Sequence, residues 1–248
     1  MSFNPSDFWL ADGGSRSLSN AVIARTGSGK TVWATQTLVP TLKRKSALGT
    51  RIIYISPKLE DPFLGVKSIK TAQTKEIAKI PKLLQKNQVI TYYPMNPETY
   101  DADVDDIIEM VFALKEANPY IEIKDKDGNK TKIETQYHII FDDAQIINGF
   151  SNRKDPSSAV KKLVIGGRSK NLKGTFIVHR VNALPRIMSG NLGQVIMLSS
   201  SGIDADNMKR ILGFEMDDIG TLTDYRWVHI DLLTDGLTKY SAVSVETL

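Results

Sequence analysis

The chain has 248 residues, of which 41% are hydrophobic, and its 32 Lys and Arg exceed its 28 Asp and Glu by four. This apolar content excludes a disordered chain, and so small a charge surplus does not by itself indicate a nucleic-acid ligand. The sequence has no cysteine and three histidines. Disulfides and cysteine-bound metals are therefore excluded, and a histidine metal site is disfavoured.

The N-terminal segment shows no basic stretch followed by an apolar one, so we expect no secretory signal. The longest apolar runs, such as residues 195–198, are far shorter than the roughly 20 residues of a membrane-spanning helix. We therefore expect a cytoplasmic protein with no membrane span of its own.

Short apolar segments alternate along the chain with longer segments of helical periodicity. In chain order, the pattern predicts a strand at 21–25, a helix at 30–46, strands at 51–56 and 88–94, a helix at 104–115, a strand at 137–141, a helix at 156–170, a strand at 175–178, a short helix after residue 182, a strand at 194–198 and a helix at 204–212. Pro40 is expected to bend or break the first helix, and Asp204 or a neighbour to cap the last one.

This alternation predicts an α/β fold with a mostly parallel sheet and helices on both faces. Residues 118–135 flank the turn-forming Asp127-Gly128-Asn129 and predict a polar hairpin or surface insertion. A C-terminal β-hairpin is predicted from residues 226–232 and 240–245. We expect one domain at residues 19–248, preceded by an N-terminal arm at residues 1–18.

A glycine-rich segment, Ala-Arg-Thr-Gly-Ser-Gly-Lys-Thr at 24–31, lies between the first predicted strand and helix. It matches the phosphate-loop pattern G-x-x-x-x-G-K-[ST], except that Ala24 replaces the first glycine and must have a negative φ. Lys30 is expected to neutralise the β- and γ-phosphates, and Thr31 to ligate Mg²⁺. The residues expected to contact the nucleotide are Arg25, Thr26, Gly27, Ser28, Gly29, Lys30 and Thr31.

The predicted strand at 137–141 ends in two acids, Asp142 and Asp143. A phosphate loop needs a carboxylate at a neighbouring strand end, so Asp142 is expected to hold Mg²⁺ together with Thr31. Asp143 is expected to be the base or the water-orienting group, although motor ATPases more often have the longer Glu at this position. The alternative is that the paired acids only begin a turn.

These motifs resemble those of the FtsK–HerA superfamily of DNA-pumping ATPases. Residues 26–31 match its typical Thr-Gly-Ser-Gly-Lys-[Ser/Thr], and residues 142–145 are similar to its Asp-Glu-Ala-His-like strand end. The family's later motifs are matched in the same order by Gly167-Arg168, His179-Arg180, Pro185 and Asn191. The departures from the family pattern are Ala24, Asp143, His179 and Val181. Within the family, the short chain most resembles the genome-packaging ATPases of membrane-containing icosahedral viruses.

The resemblance implies a P-loop NTPase fold of the RecA/ASCE-like kind, with ATP and Mg²⁺ as cofactors. It implies that His179 is a sensor of the γ-phosphate or the attacking water, and that Arg168 is an arginine finger acting on the neighbouring subunit. Other candidates for the finger are Arg180, Arg186 and Arg210. Implied partners are double-stranded DNA bound without regard to sequence, a homo-oligomeric ring of six or five subunits, and a portal or capsid membrane protein. The implied location is the host cytoplasm or the virion.

DNA phosphates would be contacted by lysine and arginine side chains. Candidates are residues 151–154 together with Lys161 and Lys162, and the basic residues 43–45. Residues 56–58, at the end of the second predicted strand, could border the nucleotide site, but no role is assigned to them.

Three other functions stay open. The first is an ATPase that drives filamentous-phage assembly or protein export. The second is a different P-loop enzyme, such as a nucleotide kinase or a GTPase, although the sequence shows neither an arginine-rich lid nor an Asn-Lys-x-Asp motif. The third is a nucleotide-binding scaffold without catalysis.

Overall fold

The computed structural model describes residues 19–45, 49–58, 61–66, 69–94, 96–124, 128–147, 150, 155–198, 202–212 and 227–231. The predicted N-terminal arm, the basic segment 151–154 and the second strand of the predicted C-terminal hairpin lie outside these residues.

Ten strands lie within the described residues, and eight of them form one sheet. In chain order they are β1 (Ser19–Ile23), β2 (Thr50–Ile55), β3 (Ala72–Thr74), β4 (Val89–Tyr92), β5 (Tyr120–Lys124), β6 (Lys130–Glu134), β7 (Gln136–Phe141), β8 (Leu172–Val178), β9 (Leu192–Leu198) and β10 (Trp227–Asp231). The sheet order is β10-β9-β1-β8-β7-β2-β4-β3. The seven strands from β9 to β3 are parallel, and β10 pairs antiparallel with β9. The predicted mostly parallel sheet is therefore confirmed.

Seven α-helices connect these strands within the described residues. They are α1 (Lys30–Trp33), α2 (Val39–Lys45), α3 (Ile80–Lys86), α4 (Tyr100–Ala117), α5 (Ser158–Gly166), α6 (Arg186–Ser189) and α7 (Gly202–Leu212). Because α7 begins at Gly202, Asp204 lies inside its first turn and is not the capping residue itself. The position before Gly202 lies outside the described residues.

A π-helical turn at Ala34–Leu38 joins α1 to α2, so the predicted first helix is continuous. Pro40 has no N–H, and in a regular α-helix its ring would clash with the carbonyl four residues earlier. That carbonyl belongs to Gln36, inside the wider π turn. The expected bend or break therefore takes the form of a π turn, a known adjustment within helices.

The sheet carries an apolar layer on each face. In β2, Ile53 and Ile55 pack into one layer, whereas Ile52 and Tyr54 pack into the other. The first layer also contains the buried residues of α4 and α5, and the second those of the α1–α2 helix, including Trp33. Side chains alternate between the two faces along each strand, so both faces of a parallel sheet must be covered.

Within the predicted hairpin at 118–135, β5 and β6 pair antiparallel and form a two-stranded sheet separate from the main sheet. Lys115 of α4 anchors this hairpin, because its Nζ lies 2.9 Å from Glu134 Oε1 and donates to the Thr135 carbonyl at 2.6 Å. Lys115 is only 5% exposed. The long stem is thus buried against the domain while the ammonium is fully engaged.

The order of the central strands places four loops at one edge of the sheet. Strands β1, β8, β7 and β2 are parallel neighbours, so the residues that follow them converge at their carboxyl ends. The ladder continues beyond the strands: the Ala24 N–H donates to the Val178 carbonyl at 3.0 Å, and the Asp142 N–H donates to the Ile55 carbonyl at 2.9 Å.

Candidate nucleotide site

The loop after β1 has the backbone conformation that its glycines permit. Gly27 and Gly29 have φ values of 82° and 79°, which residues with a side chain rarely adopt. The Ser28 hydroxyl and N–H both donate to the Arg25 carbonyl, at 2.6 Å and 3.2 Å, and so close the loop tightly.

Ala24 is compatible with this loop. Among the described residues other than glycine, Asp143 and Asn171 have positive φ, so Ala24 has the negative φ that the altered motif requires. Ala24 is fully buried, and its N–H extends the pairing of β1 with β8. An alanine at the first motif position therefore continues the strand without strain.

Two side chains at the start of α1 join the loop to the end of β7. Lys30 is 7% exposed, and its Nζ lies 3.4 Å from Asp143 Oδ1. The Thr31 hydroxyl donates to Asp142 Oδ2 at 3.2 Å. The structure thus brings together the two motifs that the sequence predicted to share a site.

Asp142 is a fully buried carboxylate. Its Oδ1 accepts the Asp143 N–H at 3.0 Å. Burial and then the charge of Asp143 raise the pKa of Asp142, against the opposing effects of Lys58, Tyr54 and Thr31. A buried carboxylate beside a hydroxyl oxygen is the donor set that a hard divalent cation prefers, and a cation would favour the charged form. The residues present therefore fit Mg²⁺.

Asp143 lies at the centre of the site in an uncommon backbone conformation. Its φ of 49° and ψ of 44° are left-handed, a conformation that aspartate tolerates better than most residues. His179 Nε2 lies 2.8 Å from Oδ1, and Lys58 Nζ lies 3.3 Å from Oδ2. Burial raises the pKa of Asp143, but the His179 hydrogen bond and the charges of Lys30 and Lys58 outweigh it and lower the pKa to about 2. Asp143 is therefore ionised at neutral pH.

His179 connects the end of β8 to both motifs. Its Nε2 faces Asp143, and its Nδ1 lies 3.2 Å from the Thr26 hydroxyl in the phosphate loop. The tautomer protonated at Nε2 satisfies both contacts, since the carboxylate can only accept and the hydroxyl can donate. This histidine therefore links the loop that would hold the phosphates to the acid that would orient water.

Arg168 does not lie in the site of its own chain. It belongs to a 3₁₀ turn at Gly167–Lys170 that precedes β8, so it lies at the opposite edge of the sheet from His179, about 20 Å away along a seven-residue strand. Arg180 follows His179 directly and is exposed, and Arg186 begins α6. Which arginine acts as a finger stays a prediction.

Two lysines predicted to contact DNA are engaged with acids of the same chain. Lys161 Nζ lies 2.8 Å from Asp155 Oδ2, and Lys162 Nζ lies 2.5 Å from Glu109 Oε2. Exposed pairs of this kind are weak, so they do not prevent phosphate binding. Both lysines therefore have an acidic partner within this chain in the absence of DNA.

Lys58 is the site residue to which sequence analysis assigned no role. It lies three residues beyond the end of β2, and β2 is the neighbour of β7 in the sheet. The signal in the sequence was a lysine shortly after a buried strand, which becomes informative only once the strand order is known.

No helix among the described residues is long and apolar enough to cross a lipid bilayer.

No protein-family model and no curated protein matches the sequence. Solved structures do match the fold. The genome packaging NTPase B204 from Sulfolobus turreted icosahedral virus 2, in complex with AMPPCP, superposes with a TM-score of 0.69 at 13% identity, covering 92% of this chain and 98% of that chain. VirB4 of Thermoanaerobacter pseudethanolicus superposes with a TM-score of 0.62 at 9% identity, covering 98% and 93%. This chain shares their fold.

The cytoplasmic domain of the Thermomonospora curvata Type VII secretion ATPase EccC is also similar, with a TM-score of 0.58 at 14% identity, covering 98% of this chain and 30% of that chain. These neighbours confirm the predicted α/β P-loop NTPase fold, and their likeness to this chain is one of fold.

Proposed function

We propose that this chain is an ATPase that hydrolyses Mg²⁺-ATP and, as a ring of identical subunits, moves double-stranded DNA without regard to sequence during genome packaging. The observation that carries the proposal is the meeting of Lys30, Asp142, Asp143 and His179 at one edge of the sheet. The fold shared with a packaging NTPase over nearly the whole length of both chains supports it.

Nucleotide binding begins at the phosphate loop. The left-handed Gly27 and Gly29 leave backbone N–H groups free to turn toward a triphosphate. The Lys30 ammonium lies 3.4 Å from Asp143 Oδ1. It would move toward the β- and γ-phosphates when ATP binds, because a triphosphate carries more negative charge than one carboxylate.

The Thr31 hydroxyl and Asp142 Oδ2 lie 3.2 Å apart and would together hold Mg²⁺ beside the phosphate loop. When bound, the ion neutralises charge on the β- and γ-phosphates as the terminal phosphoryl group is transferred. The hydrogen bond from the Asp143 N–H keeps the Asp142 carboxylate oriented toward this position.

Asp143 would orient the attacking water. Its carboxylate is ionised and accepts hydrogen bonds, so it can hold a water molecule in line with the γ-phosphate. His179 would report the state of the loop to Asp143 through Thr26. An arginine of the neighbouring subunit, with Arg168 the first candidate, would stabilise the charge that develops on the phosphoryl group.

DNA as the substrate is supported by the fold shared with a genome packaging NTPase, since the alignment covers 92% of this chain and 98% of that chain. The ring of identical subunits rests on the resemblance of the sequence motifs. A portal or capsid membrane protein would then be the docking partner, in the host cytoplasm or the virion. The likeness to EccC favours protein export as the second candidate.

The deciding experiment is ATP hydrolysis by the purified chain with and without double-stranded DNA of mixed sequence, at about 50 and 200 mM salt. We expect DNA to stimulate hydrolysis and the higher salt to remove the stimulation, since phosphate contacts are salt-sensitive. Hydrolysis that is indifferent to DNA at both salt concentrations would favour the export ATPase. A preparation that binds but never hydrolyses ATP would contradict both.

A further inference from the structure

We propose that Lys58 is a positioning residue for Asp143: it holds Oδ2 of that carboxylate, so that Oδ1 stays directed at His179 and at the reacting water. The inference rests on the proposed ATPase function and adds to it a residue outside the recognised motifs.

The contacts of Asp143 are divided between its two oxygens. His179 Nε2 at 2.8 Å and Lys30 Nζ at 3.4 Å are both on Oδ1, whereas Lys58 Nζ at 3.3 Å is on Oδ2. A carboxylate turns easily about its last side-chain bond. A partner on each oxygen fixes that rotation, which partners on one oxygen alone do not.

The backbone places Lys58 at Asp143 independently of the phosphate loop. Ile55, the last residue of β2, is in register with Phe141, the last residue of β7. Beyond β2, the Ser56 N–H donates to the Tyr92 carbonyl at 2.9 Å, and the Ser56 hydroxyl accepts the Lys58 N–H at 3.3 Å. Ser56 is buried, so the turn that presents Lys58 is anchored to the sheet.

This independence matters when a nucleotide enters. Lys30 belongs to the phosphate loop, and the phosphates would draw its ammonium away from Oδ1. Lys58 belongs to a different loop and would keep its contact with Oδ2. Catalysis requires the carboxylate to keep one orientation, so a contact that persists after the nucleotide enters would preserve the position of Oδ1.

The competing role for Lys58 is direct contact with the nucleotide, because its side chain is half exposed. The two roles differ in kinetics. A residue that binds ATP contributes to KM, whereas a residue that positions Asp143 contributes to kcat.

The test compares Lys58→Met and Lys58→Arg with the wild type, with Lys79→Met as the matched control. Lys79 is an exposed lysine on a different turn, paired with Glu76. We expect Lys58→Met to lower kcat by about 10- to 100-fold with KM for ATP nearly unchanged. Lys58→Arg should retain most of the wild-type kcat, and Lys79→Met should have the same kcat and KM as the wild type. In an Asp143→Asn background, Lys58→Met should cause no further loss.

An unchanged kcat for Lys58→Met, a raised KM, or an equal loss in the Asp143→Asn background would overturn the inference. A second readout does not depend on activity. Crystal structures of the wild type and of Lys58→Met should differ at the contact between Asp143 and His179, which should lengthen or be lost in the variant. If that contact persists unchanged, Lys58 does not position Asp143. A wild-type protein that hydrolyses no ATP would refute the proposed function instead.

Discussion

His179 Nε2 lies 2.8 Å from Asp143 Oδ1, and this contact joins the ends of β8 and β7 beside the phosphate loop. Neither residue is the one most usual in the FtsK–HerA family, which has Gln and Glu at these positions. The pairing suggests that the two departures compensate each other, because the imidazole presents one ring nitrogen to the Asp143 carboxylate and the other to the Thr26 hydroxyl.

We expect His179→Ala to lower kcat for ATP by about 10- to 100-fold, because Asp143 loses a hydrogen bond and its link to the loop. His179→Gln should retain more activity, since an amide also donates on one side and accepts on the other. Steady-state kinetics of both variants provide the measurement. If the Gln variant is as impaired as the Ala variant, hydrogen bonding is not the contribution of His179.

Asp143→Asn should reduce kcat by about 10²- to 10⁴-fold while nucleotide affinity stays within a few-fold of the wild type. Asparagine has the same shape and tolerates the left-handed backbone at φ 49°, so the fold should be retained. The variant removes the negative charge and replaces one acceptor oxygen by an NH2 donor. Single-turnover hydrolysis and the Kd of a non-hydrolysable analogue separate the two effects, and a fully active Asp143→Asn protein would exclude this acid from the mechanism.

Lys30→Ala should abolish measurable hydrolysis and weaken nucleotide binding at least tenfold, because the buried Lys30 is the residue expected to neutralise the β- and γ-phosphates. Fluorescence titration with a labelled ATP analogue and a phosphate-release assay give the two values. Lys79→Ala, which removes an exposed lysine, serves as the control and should leave both values unchanged. Normal hydrolysis by Lys30→Ala would contradict the nucleotide site assigned here.

His138 predicts a dependence of stability on pH. It is buried next to the Thr175 hydroxyl, and burial and then Lys173 lower its pKa to about 3. Below about pH 6.5 the unfolded chain binds a proton that the folded chain excludes, so the stability is lost as the pH falls from 6.5 toward 3. Between pH 7 and pH 5 this residue alone should reduce the free energy of unfolding by about 2 kcal/mol.

Urea unfolding at both pH values, with His138→Gln as the non-titrating comparison, measures this contribution. The variant should lose about 2 kcal/mol less than the wild type between pH 7 and pH 5. Equal losses in the two proteins would show that His138 can be protonated without unfolding.

Gly167 and Gly166 are neighbours with opposite expected responses to alanine. A Cβ at Gly167 would lie 2.7 Å from the Leu172 carbonyl, which is backbone and cannot yield cheaply, whereas a Cβ at Gly166 meets nothing within 4 Å. We expect Gly167→Ala to lower the free energy of unfolding by about 1–3 kcal/mol and Gly166→Ala to leave it unchanged or slightly raised. Thermal or urea unfolding decides between them, and equal effects would contradict the close approach at Gly167.

Local sequence patterns were sufficient to predict most of the strands and helices of this fold. Each strand at the centre of the sheet contains a short apolar run, because both faces of a parallel sheet are buried. The phosphate loop is contiguous, so the spacing of Gly27, Gly29 and Lys30 carries its geometry without help from the rest of the chain. The short β3 and α3 were not predicted, since β3 has only three residues and α3 two turns.

Tertiary structure decided which distant residues meet. His179 and Lys58 both contact Asp143, because the sheet order β1-β8-β7-β2 brings separate strand ends together. That order is not the order of the chain, and local periodicity carries no information about it. The motifs could therefore be recognised from sequence, but the contact of Lys58 with Asp143 could be identified only from the order of the strands in the sheet.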